Sequence, residues 1–187
     1  MPTIDRPRSV ALYYATRDGQ SRRIAEHIFS RLAENETLAP PQGLAMTPPA
    51  SADLAAASVI VLVAAVRYGK HLPEADRFLA AYRSLASPPP LALASVNLIA
   101  RKPAKTTASG NVYLRKMIAR HRLAPFVTVA FAGRLDYRRY NWLDRQIIRF
   151  IMLLTRGPTD LETSVEYTSW PAVDEFAARI AGLLRHD

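Results

Sequence analysis

At 187 residues with 49% hydrophobic content, the chain is long enough to bury one sizeable core and short for two. It holds no cysteine, which excludes disulfides, thiolate metal sites, cysteine-ligated iron–sulfur clusters and thiol nucleophiles, so redox chemistry requires a bound cofactor. The formal charge of +9 favours anionic partners: nucleic acid, an anionic lipid surface or an acidic small molecule.

The elements follow a strand-then-helix rhythm. The N-terminal Met1–Arg8 carries charges and prolines without an apolar signal core, so a cytoplasmic location is expected. Ser9–Ala15 reads as a strand, and Gln20–Asn35 as an amphipathic helix with Ile24, Ile28 and Leu32 on one face. The prolines at 40–41 and 48–49 bracket a short, weak strand at Leu44–Met46. The longest uncharged apolar run, Leu54–Val66, has 13 residues, against roughly 20 for a bilayer span. It suits a short helical turn followed by a buried strand, Ser58–Val66. A helix over Leu72–Leu85 is stopped by the prolines at 88–90, and a strand follows at Leu91–Asn97. A helix near Ser109–Arg122 and a strand near Phe126–Ala132 come next. The last helix begins near Pro171, preceded by Ser169 or Trp170, and turns Val173, Phe176, Ile180 and Leu183 inward. Such alternation predicts an α/β fold: a doubly wound, five-stranded parallel sheet in order 2-1-3-4-5, with helices on both faces. The expectation is one domain over residues 1–187, with an insertion at about 134–158.

Ligands of such sheets sit beyond the carboxyl ends of the strands, so the loops there carry the chemistry. In the first loop, Thr16, Arg17, Asp18, Gly19, Gln20 and Ser21 lead from strand to helix. Gly19 allows close backbone approach, while the two hydroxyls and the free N–H groups of the helix start suit a phosphomonoester. The same residues also suit an ordinary capped turn. No Walker A or dinucleotide glycine pattern is present, which leaves a flavodoxin-like FMN phosphate loop. Asp18 faces an anion unfavourably, so its side chain is expected to turn outward or to accept backbone donors at the helix start. The second loop offers Arg67, Tyr68 and Gly69, and the third Asn97, Leu98, Ala100, Arg101 and Lys102. Tyr68 suits stacking on a flat ring, and the cations and Asn97 suit the edge of a ring that gains negative charge on reduction. A packing aromatic and a solvated cationic pair remain the plain alternatives. His27, His71, His121 and His186 lack metal-ligand spacing, and no metal site is expected.

Together, Thr16–Ser21, Arg67-Tyr68-Gly69, Ser95–Pro103, Ala132–Tyr137 and Tyr140–Arg145 resemble the bacterial menaquinone-dependent protoporphyrinogen IX dehydrogenase family. The resemblance runs from about Val10 to Leu184. It implies FMN, oxidation of protoporphyrinogen IX to protoporphyrin IX in heme biosynthesis, and electron delivery to menaquinone or ubiquinone. Three two-electron cycles remove the six electrons, and the flavin carries the hydride chemistry. A peripheral place on the cytoplasmic face of the bacterial inner membrane follows from the quinone. A homo-oligomer is left open, and no catalytic residue is assigned. Ser21 stands where the family suggests threonine, which keeps the hydroxyl, and the stretch at 40–49 departs locally.

The segment after the fifth strand is too apolar for an idle loop. Arg138, Arg145, Arg149 and Arg156 share one side if it is helical, with Trp142, Ile147, Phe150, Ile151 and Leu154 over much of the rest. It reads either as a membrane-facing or substrate-lining element, or as an extra helix packed on the core. A flat tetrapyrrole with two carboxylates calls for an apolar wall edged by guanidinium groups. The candidates are Arg134, Tyr137, Arg138, Arg139, Tyr140, Trp142 and Arg145. Other flavin quinone reductases or electron carriers share the loops without needing this insertion. A nucleic-acid-binding role does not explain three loops at one switch point, and no nucleic acid partner is expected.

Overall fold

The computed structural model describes residues 9–33, 38–137, 142–154, 158–162 and 164–186. The strand β1 spans Val10–Ala15 and leads to helix α1, Gln20–Ala33, whose Ile24, Ala25, Ile28 and Leu32 are buried. The short β2, Gln42–Gly43, lies just before the expected Leu44–Met46, because the Leu44 N–H closes the pairing by donating to the Tyr14 carbonyl. Helix α2, Ser51–Ala56, feeds β3, Val59–Arg67, which is buried from Val59 to Ala64. β4, Lys70–His71, folds back antiparallel on the end of β3. Helix α3, Pro73–Arg83, starts with proline in its first turn, and β5, Leu91–Val96, is buried throughout.

Helix α4, Val112–His121, starts three residues later than the sequence suggests. Asn111 caps it, its Oδ1 accepting the N–H groups of Tyr113 and Leu114. Then come β6 (Val127–Phe131), β7 (Arg134–Asp136), α5 (Trp142–Leu154), β8 (Ser164–Glu166) and α6 (Trp170–His186). Leu184 of α6 is buried where Leu183 was expected, the helix presenting 173, 176, 177, 180 and 184 to the sheet.

The main sheet runs β2-β1-β3-β5-β6, all parallel, which is the doubly wound order with the β4 hairpin added. One face is covered by α1 and α6 over Val61, Val63, Ala94 and Phe131. The other carries α3 and α4 over Ile60, Leu62 and Leu93, with Phe78 packed 4.8 Å from the Tyr13 ring. A third cluster forms beside the sheet, where Leu135, Tyr137 and Met152 seat α5 against the β7–β8 ribbon. The order reverses at β1, flanked by β2 and β3, so the loops after β1 and β3 open a crevice between them.

Candidate active site

At that switch point lies an open crevice, enclosing about 1040 Å³ with its mouth included. Thr16, Arg17, Asp18, Gln20, Ser21, Arg67, Tyr68, Gly69, Asn97 and Leu98 line it, so all three loops singled out in the sequence converge.

The first loop has the features that suit an anion. Gly19 has φ +89°, and Thr16 Oγ1 accepts its N–H at 3.0 Å, which leaves the hydroxyl hydrogen of Thr16 to donate. Helix α1 begins directly after, with its first N–H groups lacking intrahelical acceptors. Ser21 is 1% exposed, yet its Oγ has no hydrogen-bond partner among the described residues. An unmet buried hydroxyl costs about 1–3 kcal/mol. A phosphate oxygen held in this loop would remove that cost, so the residues present fit the phosphomonoester. The Gln20 side chain serves another end: its Nε2 donates to Glu166 Oε1 at 3.1 Å and to Thr168 Oγ1 at 2.9 Å. Burial pushes the Glu166 carboxyl up, but hydrogen bonds from Arg23 and Gln20 and the charges of Arg23 and Arg134 outweigh it and hold the group below its ordinary range.

Asp18 is exposed and, among the described residues, accepts no backbone donor of the helix start. Its Oδ2 accepts from Arg67 Nη1 at 2.9 Å, linking the first loop to the second. In that second loop Tyr68 and Gly69 form a two-residue hairpin with φ of +51° and +76°, the signature of a type I′ turn. Asparagine or glycine normally takes the first of these places, because a bulky side chain at positive φ is strained. Here the strained residue is a tyrosine, 53% exposed, with the Arg67 guanidinium 5.3 Å from its ring centre.

The third loop is held from beneath. Asn97 is buried, its Nδ2 donating to Ser95 Oγ at 2.9 Å while its Oδ1 accepts from the Ala100 N–H and from Asn111 Nδ2. Its amide is therefore engaged in fixing the loop. Arg101 donates to the Leu98 carbonyl at 2.9 Å, and neither it nor Ala100 lines the crevice.

His71 extends the same chain, with Nε2 2.8 Å from Ser95 Oγ. Burial lowers its pKa from 6.5 to about 4; the Asp76 charge opposes this and Arg120 and His121 assist it. The native protein thus refuses a proton that the unfolded chain accepts between those values. Stability is unaffected by His71 above pH 6.5 and falls by about 3 kcal/mol as the pH drops from 6.5 to about 4. In urea titrations the stability of a His71→Gln variant relative to the parent protein should rise by that amount over this range. A constant difference would show that His71 protonates freely in the native state.

The residues expected to meet the substrate are scattered. Arg134 lines the crevice, and its Nη2 lies 3.0 Å from Asp136 Oδ2 and donates to Ser164 Oγ. Tyr137 is buried in the third cluster, its hydroxyl donating to the Pro158 carbonyl, and Arg145 Nε donates to the Tyr137 carbonyl. Trp142 is 74% exposed and away from the crevice wall. Arg138, Arg139 and Tyr140 lie outside the described residues, as does Arg156. Ile99 of the third loop also lines the crevice, as do Tyr113, Asp136 and Ile148, which were not singled out in the sequence. Tyr113 directly follows the first helical residue after the Asn111 cap, a signal that locates the helix start and so the loop end of α4. Among the described residues of α5, Ile148 reaches the crevice while Phe150, Leu153 and Leu154 stay exposed. Among the described residues no helix is long and apolar enough to cross a membrane.

A parallel sheet in this order, with a strand-to-helix loop opening at its switch point, is the architecture of flavodoxin-like proteins. The sequence matches the flavodoxin domain family over residues 11–162. The Streptococcus pneumonia TIGR4 flavodoxin superposes with a TM-score of 0.52 at 9% identity, covering 93% of this chain and 98% of that one. The rubredoxin:oxygen oxidoreductase of Desulfovibrio gigas gives 0.54 at 11% identity, covering 95% of this chain and 36% of that one. Within this class the relatives are narrower. A Leishmania major protein named protoporphyrinogen IX dehydrogenase [quinone] is 38% identical over 172 residues, 92% of this chain and 74% of its own. The Escherichia coli K12 protein of that name is 35% identical over 173 residues, 92% of this chain and 94% of its own. The chain belongs to the protoporphyrinogen IX dehydrogenase [quinone] family of oxidoreductases.

Proposed function

We propose that this protein oxidises protoporphyrinogen IX to protoporphyrin IX with bound FMN and passes the electrons to menaquinone or another membrane quinone, as a step of heme biosynthesis. The observation that carries this reading is the near end-to-end likeness to relatives bearing that name. The crevice supplies the fit. Thr16, Gly19 and the orphaned Ser21 hydroxyl would hold the phosphate, with the main-chain N–H groups from Gln20 onward. Arg67, Tyr68 and Gly69 would face the ring from the hairpin, and Leu98, Ile99 and Tyr113 supply further wall. Bound FMN would supply the two-electron chemistry. The protein's own part is to orient the ligands, to exclude water along the wall of Val96, Leu98, Ile99 and Ile148, and to set the local charge. The whole chain acts here as one domain, and of the insertion at about 134–158 the described residues Arg134, Asp136 and Ile148 line the crevice.

Helix α5 leaves Trp142, Leu143, Phe150, Leu153 and Leu154 exposed beside an exposed Arg149, a surface suited to peripheral contact with an anionic bilayer that carries the quinone. The test is anaerobic turnover of protoporphyrinogen IX by FMN-loaded protein, with menaquinone in anionic vesicles and porphyrin fluorescence as readout. Flavin- and quinone-dependent porphyrin formation, with vesicle binding that weakens in salt, is expected. FMN binding without porphyrin formation would leave a quinone reductase or an electron carrier.

A further inference from the structure

The loop that suits an anion contains a carboxylate, and this demands an explanation. Asp18 stands between Arg17 and Gly19 at the mouth of the crevice, where a phosphate would repel it. Its partner explains its presence. Arg67 leaves the end of β3 with its side chain only 16% exposed, its Nη1 2.9 Å from Asp18 Oδ2 and its guanidinium 5.3 Å from the Tyr68 ring centre. The pair therefore links the first loop to the strained hairpin, beside an exposed aromatic ring that lines the crevice.

We propose that Asp18 and Arg67 form a charge-compensated pair that sets the reduction potential of the bound flavin. In this arrangement Arg67 acts on the cofactor and Asp18 is a positioning residue that acts through it. The chemistry is that of the charge change. On reduction the flavin takes up two electrons and one proton, so its ring system gains one negative charge; passing both electrons and that proton to a quinone, with a second proton from solvent, restores the neutral ring and yields the quinol. A lone guanidinium at the ring would favour the charged reduced form and so hold electrons back from the quinone. A lone carboxylate would oppose reduction and so slow the oxidation of substrate. The pair orients the guanidinium while cancelling most of its field, which keeps both half-reactions within reach. At separations of several ångströms and an effective dielectric near 20, one uncompensated charge is worth about tenfold or more in the ratio of affinities for reduced and oxidised flavin.

This inference rests on the flavin reading of the crevice, and the test separates the two. Oxidised FMN affinity is measured by fluorescence quenching and the midpoint potential of the bound flavin by equilibration with redox dyes, for the unaltered protein, Asp18→Asn, Arg67→Gln and the double variant. Asp18→Asn should tighten binding of the reduced form relative to the oxidised by about tenfold, raising the two-electron potential by about 30 mV. Arg67→Gln should lower it by a similar amount, and the double variant should return close to the starting value. Potentials that stay put in both single variants overturn the proposal, as does a double variant whose shift is the larger of the two singles. Equal changes in affinity for both redox forms, with no change in potential, overturn it too by assigning the pair to the phosphate. No FMN binding by the unaltered protein would remove the flavin reading itself.

Discussion

Replacing Ser21 with alanine should change two quantities in opposite directions: the flavin-free protein becomes more stable by about 1 kcal/mol, while its affinity for FMN falls by about 10- to 100-fold. The hydroxyl is buried without a partner, so its removal relieves a desolvation cost in the free protein. With phosphate bound, the same hydroxyl would make a charge-assisted hydrogen bond, and the alanine variant forfeits it. Chemical denaturation without FMN and fluorescence titration with FMN read the two effects separately. Loss of stability together with unchanged affinity would show that Ser21 bonds elsewhere and that the cradle is misplaced.

Placing a carboxylate at position 152 should separate the insertion from the flavin site. Met152 is fully buried with Leu135 and Tyr137, and these side chains seat α5 beside the sheet. An unpaired charge there, in Met152→Asp, disfavours the docked helix by about 3 kcal/mol, which lowers the ratio of docked to undocked forms about 100-fold. The two main cores do not include Met152, so the sheet and the anion loop should persist. FMN affinity should therefore fall only a fewfold, through Leu98, which touches this cluster and also lines the crevice. Porphyrinogen turnover should drop by one to two orders of magnitude, in the range of about 10- to 100-fold. Turnover that survives would remove α5 from the substrate wall.

Much of this architecture was legible in the sequence because parallel buried strands and amphipathic helices write their periods directly. Val59–Ala64 could only be central, and the spacing of Ile24, Ile28 and Leu32 gave the inward face of α1. The two-residue β2 was misplaced because so short an edge strand is defined by its partner, here Tyr13 and Tyr14, and not by its own residues. The β4 hairpin was missed because its turn has tyrosine where asparagine is usual. In the site, the convergence of three loops followed from topology. The Asp18–Arg67 pair joins residues 49 positions apart, and no local pattern announces a partnership of that kind. Tyr113 and Asp136 reach the crevice through the cap of α4 and through β7, both of which are set by tertiary packing.

The Gln20 amide and the Arg23 guanidinium both meet Glu166, across 146 and 143 positions of chain. That contact has a temporal meaning for a polypeptide made from its N-terminus. The first loop emerges early, yet its bracing belongs to a residue that follows Gln20 by 146 positions and Arg23 by 143. During synthesis at about 5–20 residues per second, the loop waits roughly 7–30 seconds for that brace. A chain cut short before Glu166 would present the loop without this brace.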